Sequence, residues 1–209
     1  AASDVYKRQI FVGEKCANAL KNERFYQDSV GVNIAEKNSS FCELTGLYWA
    51  WQNGIFKNNQ YVGLVHYRRY FAGKKLCLKK QHIASESELL SLLEKYEAIL
   101  PKKRNYFIES IYSHYQHAHY VKDLNCTREI ISELYPEYIT SFDAIMQGRK
   151  IHIYNMFVMS SENTSEYCQW LFPILFELEK RIDITQYDNY QKRVFGFIAE
   201  RLFLSLIHI

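Results

Sequence analysis

Tyr61-Val62-Gly63-Leu64-Val65-His66-Tyr67-Arg68-Arg69-Tyr70 decides the reading of the fold. Its first five residues form a short, continuous apolar run, the pattern of a strand covered on both faces. The run stops abruptly at a polar and aromatic cluster. Upstream, Ser40-Phe41-Cys42-Glu43 has the form of a helix-capping box. Phe41, Leu44, Tyr48 and Trp51 then recur at helical spacing until Gly54, and Lys57-Asn58-Asn59-Gln60 supplies a polar loop. Helix, buried strand, then polar cluster is the order of an α/β protein, in which ligands bind beyond the carboxyl ends of strands.

Downstream the alternation continues. Ser85-Glu86-Ser87-Glu88 opens a helix with Leu89, Leu90, Leu92, Leu93 and Tyr96 as its expected buried side, followed by a strand at Ala98-Ile99-Leu100. Asn125 to Leu134 is predicted helical, ended by Tyr135-Pro136, and Ile151 to Met159 is predicted as one long strand. Two helices complete the pattern: Thr164 to Arg181, kinked at Pro173, and Asp188 to Leu204, opened by the box Asp188-Asn189-Tyr190-Gln191. The spacing predicts an α/β domain with a central, mostly parallel sheet flanked by helices.

Composition bounds the class. A chain that is 48% hydrophobic, with only 8 Gly and 3 Pro, can bury a core and is not disordered. A net charge of +3 is too small to imply a nucleic-acid scaffold. Cys16, Cys42, Cys77, Cys126 and Cys168 are scattered, odd in number and without a C-x-x-C, so they read as buried thiols of a reducing, cytoplasmic compartment. The longest apolar runs, such as Trp170 to Phe176, fall short of a bilayer span. The many Tyr and Phe beside Lys and Arg suit a membrane headgroup surface, with core filling as the plainer alternative. The chain opens Ala1-Ala2-Ser3, and both tips resemble translated sequencing-adaptor read-through. Residues 1–9 and 205–209 are therefore set aside as non-native, leaving one expected domain over 10–204.

His66, Arg68 and Arg69 at a strand's end can converge on an anion such as a diphosphate. A guanidinium offers two parallel hydrogen bonds and keeps its charge, so arginine can stand in for a metal where negative charge develops on a leaving nucleotide. A surface ion-pair cluster is the alternative. Lys102, in Lys102-Lys103-Arg104, is a further diphosphate candidate, against a solvated loop. Asp188 and Glu200 compete as the base that would activate an acceptor hydroxyl, although Asp188 also has its capping task; Glu43 reads as a cap. Asn155, His117, His119 and Arg193 are candidates for sugar or acceptor, each against a packing role. His114, His117 and His119 match none of the strong zinc spacings. Trp49 and Trp51 read as core, with at least one pointing inward.

The run Asn38 to Trp51 followed by Tyr61 to Phe71 resembles the domain-of-unknown-function 4422 family, found among capsular and exopolysaccharide biosynthesis glycosyltransferases. Ile99 to Arg104, Tyr154 to Met159 and Tyr190 to Leu202 agree with the same pattern. The resemblance implies a GT-A-like single nucleotide-sugar-binding domain. Family members begin with a strand ending in threonine-histidine-lysine, and nothing equivalent precedes Ile10, so the N-terminal strand is expected to be missing and the fragment inactive. Where members carry Gly-Asp-Asn-Ile-Ser, this chain has Gly31-Val32-Asn33-Ile34-Ala35, which leaves Asn33 alone as a sugar-site candidate. Metal-dependent members of the broader class place an Asp-x-Asp after the strand that Tyr61 to Val65 would match. This chain has no Asp-x-Asp, so a donor site that needs no cofactor and no divalent ion is expected.

The resemblance thus implies transfer of a hexose, of galactose or galactofuranose type, from a nucleoside-diphosphate sugar to a lipid-linked oligosaccharide at the inner face of a membrane, with no transmembrane segment and no nucleic-acid partner. Two other classes remain open: a non-catalytic nucleic-acid or polysaccharide binding module, and a metal-assisted hydrolase using His114, His117 and His119.

Overall fold

The computed structural model describes residues 10–12, 26–66, 69–78 and 80–207; the N-terminal tip, Cys16 and Arg68 lie outside the described residues. The described strands are β1 (Ile10–Phe11), β2 (Tyr26–Gln27), β3 (Tyr61–Leu64), β4 (Ala72–Leu78), β5 (Gln81–Ile83), β6 (Ala98–Ile99), β7 (Arg104–Asn105), β8 (Lys150–Ile151) and β9 (Phe157–Ser160). The described helices are α1 (Asn38–Phe41), α2 (Leu44–Gln52), α3 (Glu86–Leu93), α4 (Ile111–Ala118), α5 (Val121–Leu134), α6 (Ile139–Gln147), α7 (Ser161–Arg181) and α8 (Val194–Ile207). The mixed α/β class expected from the sequence is the class observed. The chain divides into two compact units, one of residues 1–38, 43–101 and 156–165, the other of 39–42, 102–155 and 166–209.

In the first unit β9 lies between β3 and β6 and runs antiparallel to both, which leaves β3 and β6 parallel to each other; β1 and β2 also pair in parallel. Phe157, Val158 and Met159 of the central strand are buried. By contrast β3 is half-buried with Gly63 exposed, not covered on both faces, because it is the edge of the three described strands.

The capping box expected at Ser40 to Glu43 is not formed. Ser40 lies inside the single turn of α1, Cys42 adopts φ +54 and breaks the helical path, and Glu43 gives no side-chain cap to α2. The end of α2 is as expected, with Gly54 at φ +72. Gly46 is required where α2 approaches the first strand, since a Cβ there would stand 2.9 Å from Val12 Cγ1. Trp49 is buried, its indole N–H donating to the Val30 carbonyl at 2.6 Å.

The Ser85 box does form. The Glu88 N–H donates to Ser85 Oγ, and the Glu88 carboxylate accepts the Ser85 N–H at 2.9 Å. The expected apolar face of α3 is nevertheless mostly uncovered: Leu89 is buried, but Leu90, Leu92 and Tyr96 are 41%, 42% and 62% exposed. The two-residue strand β6 that it meets is too short to cover more than one row of side chains.

In the second unit β7 pairs with β8, and helices α4 to α8 build a core in which the Phe41 and Phe195 rings stack at 4.4 Å. Helix α5 starts four residues before its expected Asn125 and stops, as expected, before Pro136. The predicted strand from Ile151 to Met159 is in fact two short strands separated by a turn. Tyr154 and Asn155 have φ +81 and +49, and left-handed residues cannot continue a ladder. The last helix begins at Val194, after a 3₁₀ turn at Gln191–Arg193.

The reading of the cysteines as buried is corrected in part. Cys168 is buried, Cys42 and Cys126 are half-buried, and Cys77 is exposed on the β4–β5 hairpin, whose strands are paired only with each other among the described residues. No helix among the described residues is long and apolar enough to cross a membrane.

Candidate functional site

The basic cluster of the first unit is a tight turn. His66 and Arg69 form a bridge across it, with the Arg69 N–H donating to the His66 carbonyl at 3.1 Å. Arg69 is exposed, and His66 Nε2 lies 3.8 Å from Glu43 Oε1, both side chains being largely covered. Glu43 therefore stands beside the imidazole and does not cap a helix. The turn brings His66 and Arg69 together; Arg68 lies outside the described residues.

Asn33 sits in a separate loop. Its amide donates to the Gly31 carbonyl at 2.8 Å and its Oδ1 accepts the Ala35 N–H at 3.1 Å, so both ends are engaged in shaping the turn. Gly31 has φ +72, and a Cβ there would strike Asn53 Oδ1. Asn53 in turn braces the loop through the Val32 N–H and carbonyl.

In the second unit Lys102 is exposed before β7. Beyond it the Arg104 guanidinium lies 5.6 Å over the Tyr106 ring, and that ring stacks on His114 at 3.8 Å. Burial holds the His114 pKa down, and its Nδ1 is buried without a hydrogen-bond partner. His117 turns outward to Glu109, 2.5 Å away. His119 faces Gln191 Oε1 at 3.1 Å and packs on Phe197 at 4.2 Å; burial pushes its pKa down to about 4. The three imidazoles are thus engaged in three different directions. Among the described residues no group of three or more His, Cys, Asp or Glu could hold a metal ion.

The two candidate bases differ in kind. Asp188 is exposed and does not open the final helix as expected; its Oδ1 accepts the Tyr190 and Gln191 N–H groups at 2.8 Å and so closes a turn ahead of the 3₁₀ segment, whose N-cap is Tyr190. Its second oxygen is engaged by no described residue. The Gln191 amide does not complete the box; it donates to the Ala118 carbonyl and faces His119. Glu200 has both oxygens engaged, one by the Tyr154 N–H at 2.7 Å and the other by Arg201 Nη1 at 3.0 Å. Asn155 is buried in the same turn as Tyr154 and donates to the Gly196 carbonyl at 3.1 Å.

Arg201 escaped the sequence reading. It is 3% exposed, bonds the Phe197 carbonyl, and lies 5.0 Å over the Tyr115 ring. A charged residue within the apolar run Phe195 to Leu204 was the available signal, because such a residue inside a helix is kept only with partners. Tyr190, Arg193 and Phe197 gather around His119: Tyr190 stacks at 5.8 Å, and the Arg193 guanidinium lies 5.5 Å over Phe197 while its Nε donates to Cys42 Sγ. The second unit also contains a cavity of about 400 Å³ between α4, α5 and α6, lined by Tyr112, Leu124, Phe142 and Met146 with the Arg128–Asp143 ion pair; none of the predicted site residues lines it.

The fold is that of a mixed α/β protein whose charged and aromatic side chains gather at turns and at one helix. The chain belongs to the family described as Domain of unknown function (DUF4422), whose model matches residues 1–208. Among solved structures it is similar to the apo structure of the WbbM bifunctional glycosyltransferase, at 32% identity and a TM-score of 0.81 over 95% of this chain and 38% of that one. The chain thus spans well under half the length of that protein. No curated protein matches it.

Proposed function

We propose that this chain is a glycosyltransferase domain that moves a hexose, of galactose or galactofuranose type, from a nucleoside-diphosphate sugar to a lipid-linked oligosaccharide in the assembly of capsular or exopolysaccharide at the inner face of a membrane. The observation that carries the reading is the similarity of 95% of the chain, at 32% identity, to a solved bifunctional glycosyltransferase.

The residue roles follow from chemistry. His66, Arg68 and Arg69 of the first unit supply positive charge to the donor diphosphate and offset the charge that grows on the departing nucleotide, with no divalent ion; Lys102 of the second unit is a separate candidate for the same role. Asp188 keeps one carboxylate oxygen available and is the residue to take the acceptor hydroxyl's proton if the anomeric centre is inverted. Glu200, with both oxygens occupied, holds the turn of Tyr154 and Asn155 in place. In the second unit Asn155, His117, His119 and Arg193 are the candidates to serve the sugars, with His119 and Arg193 beside aromatic faces that suit a pyranose or furanose ring; Asn33 is a separate candidate in the first unit.

A panel of nucleotide sugars, screened by melting temperature with and without divalent ion, tests the reading on the full-length protein. A uridine-diphosphate hexose that raises the melting temperature in the presence of chelator, an effect lost in Arg69→Ala, supports it. Failure of every nucleotide sugar to bind would overturn it.

A further inference from the structure

We propose that the Phe107–Ile108 turn, carried between β7 and α4 in the second unit, is the point at which the protein docks on an anionic lipid bilayer. Phe107 and Ile108 are 74% and 89% exposed, the two most exposed large apolar side chains among the described residues. They are neighbours in the chain and stand at the tip of one turn, so both can enter the same apolar layer. Single exposed apolar residues are ordinary, but two adjacent ones standing this far clear of the surface mark a contact.

The turn is held in place by its own polar groups. Tyr106, whose ring lies on His114, donates its N–H to the Arg149 carbonyl at 2.8 Å, and its carbonyl accepts the Ile108 N–H at 2.7 Å. Asn105 Oδ1 accepts the Phe107 N–H at 3.0 Å, and Arg149 Nη1 donates to the Phe107 carbonyl at 3.2 Å. Phe107 is thereby fixed at φ +57, a conformation that glycine or asparagine adopts far more readily than a bulky aromatic residue. Its backbone is fully satisfied while its phenyl ring is left in water. A phenylalanine kept at such a position adds little to the packing of its own unit, which points to a use outside it.

Charge selects the partner. Lys102, Lys103 and Arg104 lead into the turn, and Arg149 and Lys150 stand on the segment paired with it, Asn105 lying opposite Lys150 in the β7–β8 ladder. All five cations are exposed, and none is ion-paired to a described carboxylate. No Asp or Glu occurs from Lys102 to Ile108 or from Ala144 to Asn155. The carboxylate that follows the tip, Glu109, is taken up by His117 at 2.5 Å. An apolar tip backed by unpaired cations matches acyl chains beneath anionic headgroups. Single-stranded nucleic acid calls for ring faces along a groove, whereas the more exposed of these two residues is an isoleucine, which offers a base no face. The inference names the contact for the membrane placement proposed above and rests on that part of the reading. Vesicle binding and nucleotide-sugar binding are separate measurements, so either can fail alone.

The test is co-sedimentation of the full chain with vesicles of phosphatidylglycerol in phosphatidylcholine and with vesicles of pure phosphatidylcholine. The anionic vesicles should retain the protein, less so as salt is raised. Phe107→Ser/Ile108→Ser should bind them on the order of a hundredfold more weakly, about tenfold per side chain, with the salt dependence kept. Lys103→Gln/Lys150→Gln, which leaves Lys102 in place, should bind about 25-fold more weakly, at roughly fivefold per lysine, and with a shallower salt dependence. Phe107→Asn separates docking from folding: asparagine suits the left-handed backbone, so its melting temperature should match or exceed that of the wild type while vesicle binding falls. Equal binding by wild type and Phe107→Ser/Ile108→Ser, or no retention by anionic vesicles, would overturn the proposal. So would a wild-type chain that ignores vesicles but binds single-stranded oligonucleotides or self-associates through the tip, losing either property in Phe107→Ser/Ile108→Ser.

Discussion

Glu200 of α8 accepts the backbone N–H of Tyr154 at 2.7 Å, and Tyr154 is the first of two consecutive residues with positive φ. A carboxylate from a helix thus satisfies the amide that a continuing strand would have satisfied, and it leaves its second oxygen to the buried Arg201 guanidinium. Removing it would strand a buried charge. Glu200→Ala is expected to lose about 3 kcal/mol or more of unfolding free energy in urea, and Glu200→Gln, which can still accept from Tyr154, to lose less. Wild-type stability in both variants would show that the pair holds nothing in place.

His119 gives a pH signature. Burial depresses its pKa to about 4, below the ordinary imidazole value, so between the two values the unfolded chain binds a proton that the folded chain does not. The contribution of neutral His119 is complete above the unfolded value and is lost as pH falls through about 6.5 towards 4. With partial solvent exposure allowed for, the loss is on the order of 2 kcal/mol across that window. His119→Gln should flatten this part of the stability profile, and an unchanged slope in urea titrations would remove His119 as its source.

Glu88 joins a helix cap to a hairpin. Hydrogen bonds from the Ser85 N–H and hydroxyl, then from the Lys74 N–H, hold its carboxyl down at about 2. Its contribution is therefore present above the ordinary carboxylate range and is lost only as pH falls through about 2. In Glu88→Ala the amide protons of Lys74, Lys75 and Ser85 should exchange markedly faster at neutral pH while those of β9 stay as they were. Unchanged exchange at all three would mean that the carboxylate does not secure the hairpin.

The thiols should react in order of their exposure. Cys77 is exposed, burial raises the pKa of half-buried Cys126, and burial pushes that of Cys168 above the usual thiol range. Timed alkylation read by mass spectrometry should, among the four described thiols, label Cys77 first and Cys168 only on unfolding. Early labelling of Cys168 would contradict the packing of α7.

What could be read directly were features that depend on near neighbours in the chain. The Ser85–Glu88 box, the strand at Tyr61 and the stop of α5 before Pro136 all rest on contacts within a few residues, where spacing is geometry. The candidate site was legible as residue types: His66 and Arg69 do share one turn, and His119 and Arg193 do gather about Phe197. Their partners were not legible. Glu43 met His66 instead of capping its own helix, and Arg201 was missed altogether.

The chain's local pattern by itself determined the α/β class, a few element ends such as the start of α3 and the stop of α5, and the kinds of side chain available for chemistry, because propensity, capping and turn formation act over one or two helical turns. Tertiary structure alone decided that Ile151 to Met159 is broken at Tyr154, that Leu90 and Leu92 stay uncovered, and that Glu200 faces Tyr154 and Arg201. Each of those outcomes depends on which distant segment arrives opposite, and a hydrogen bond or an apolar contact forms only with what is there.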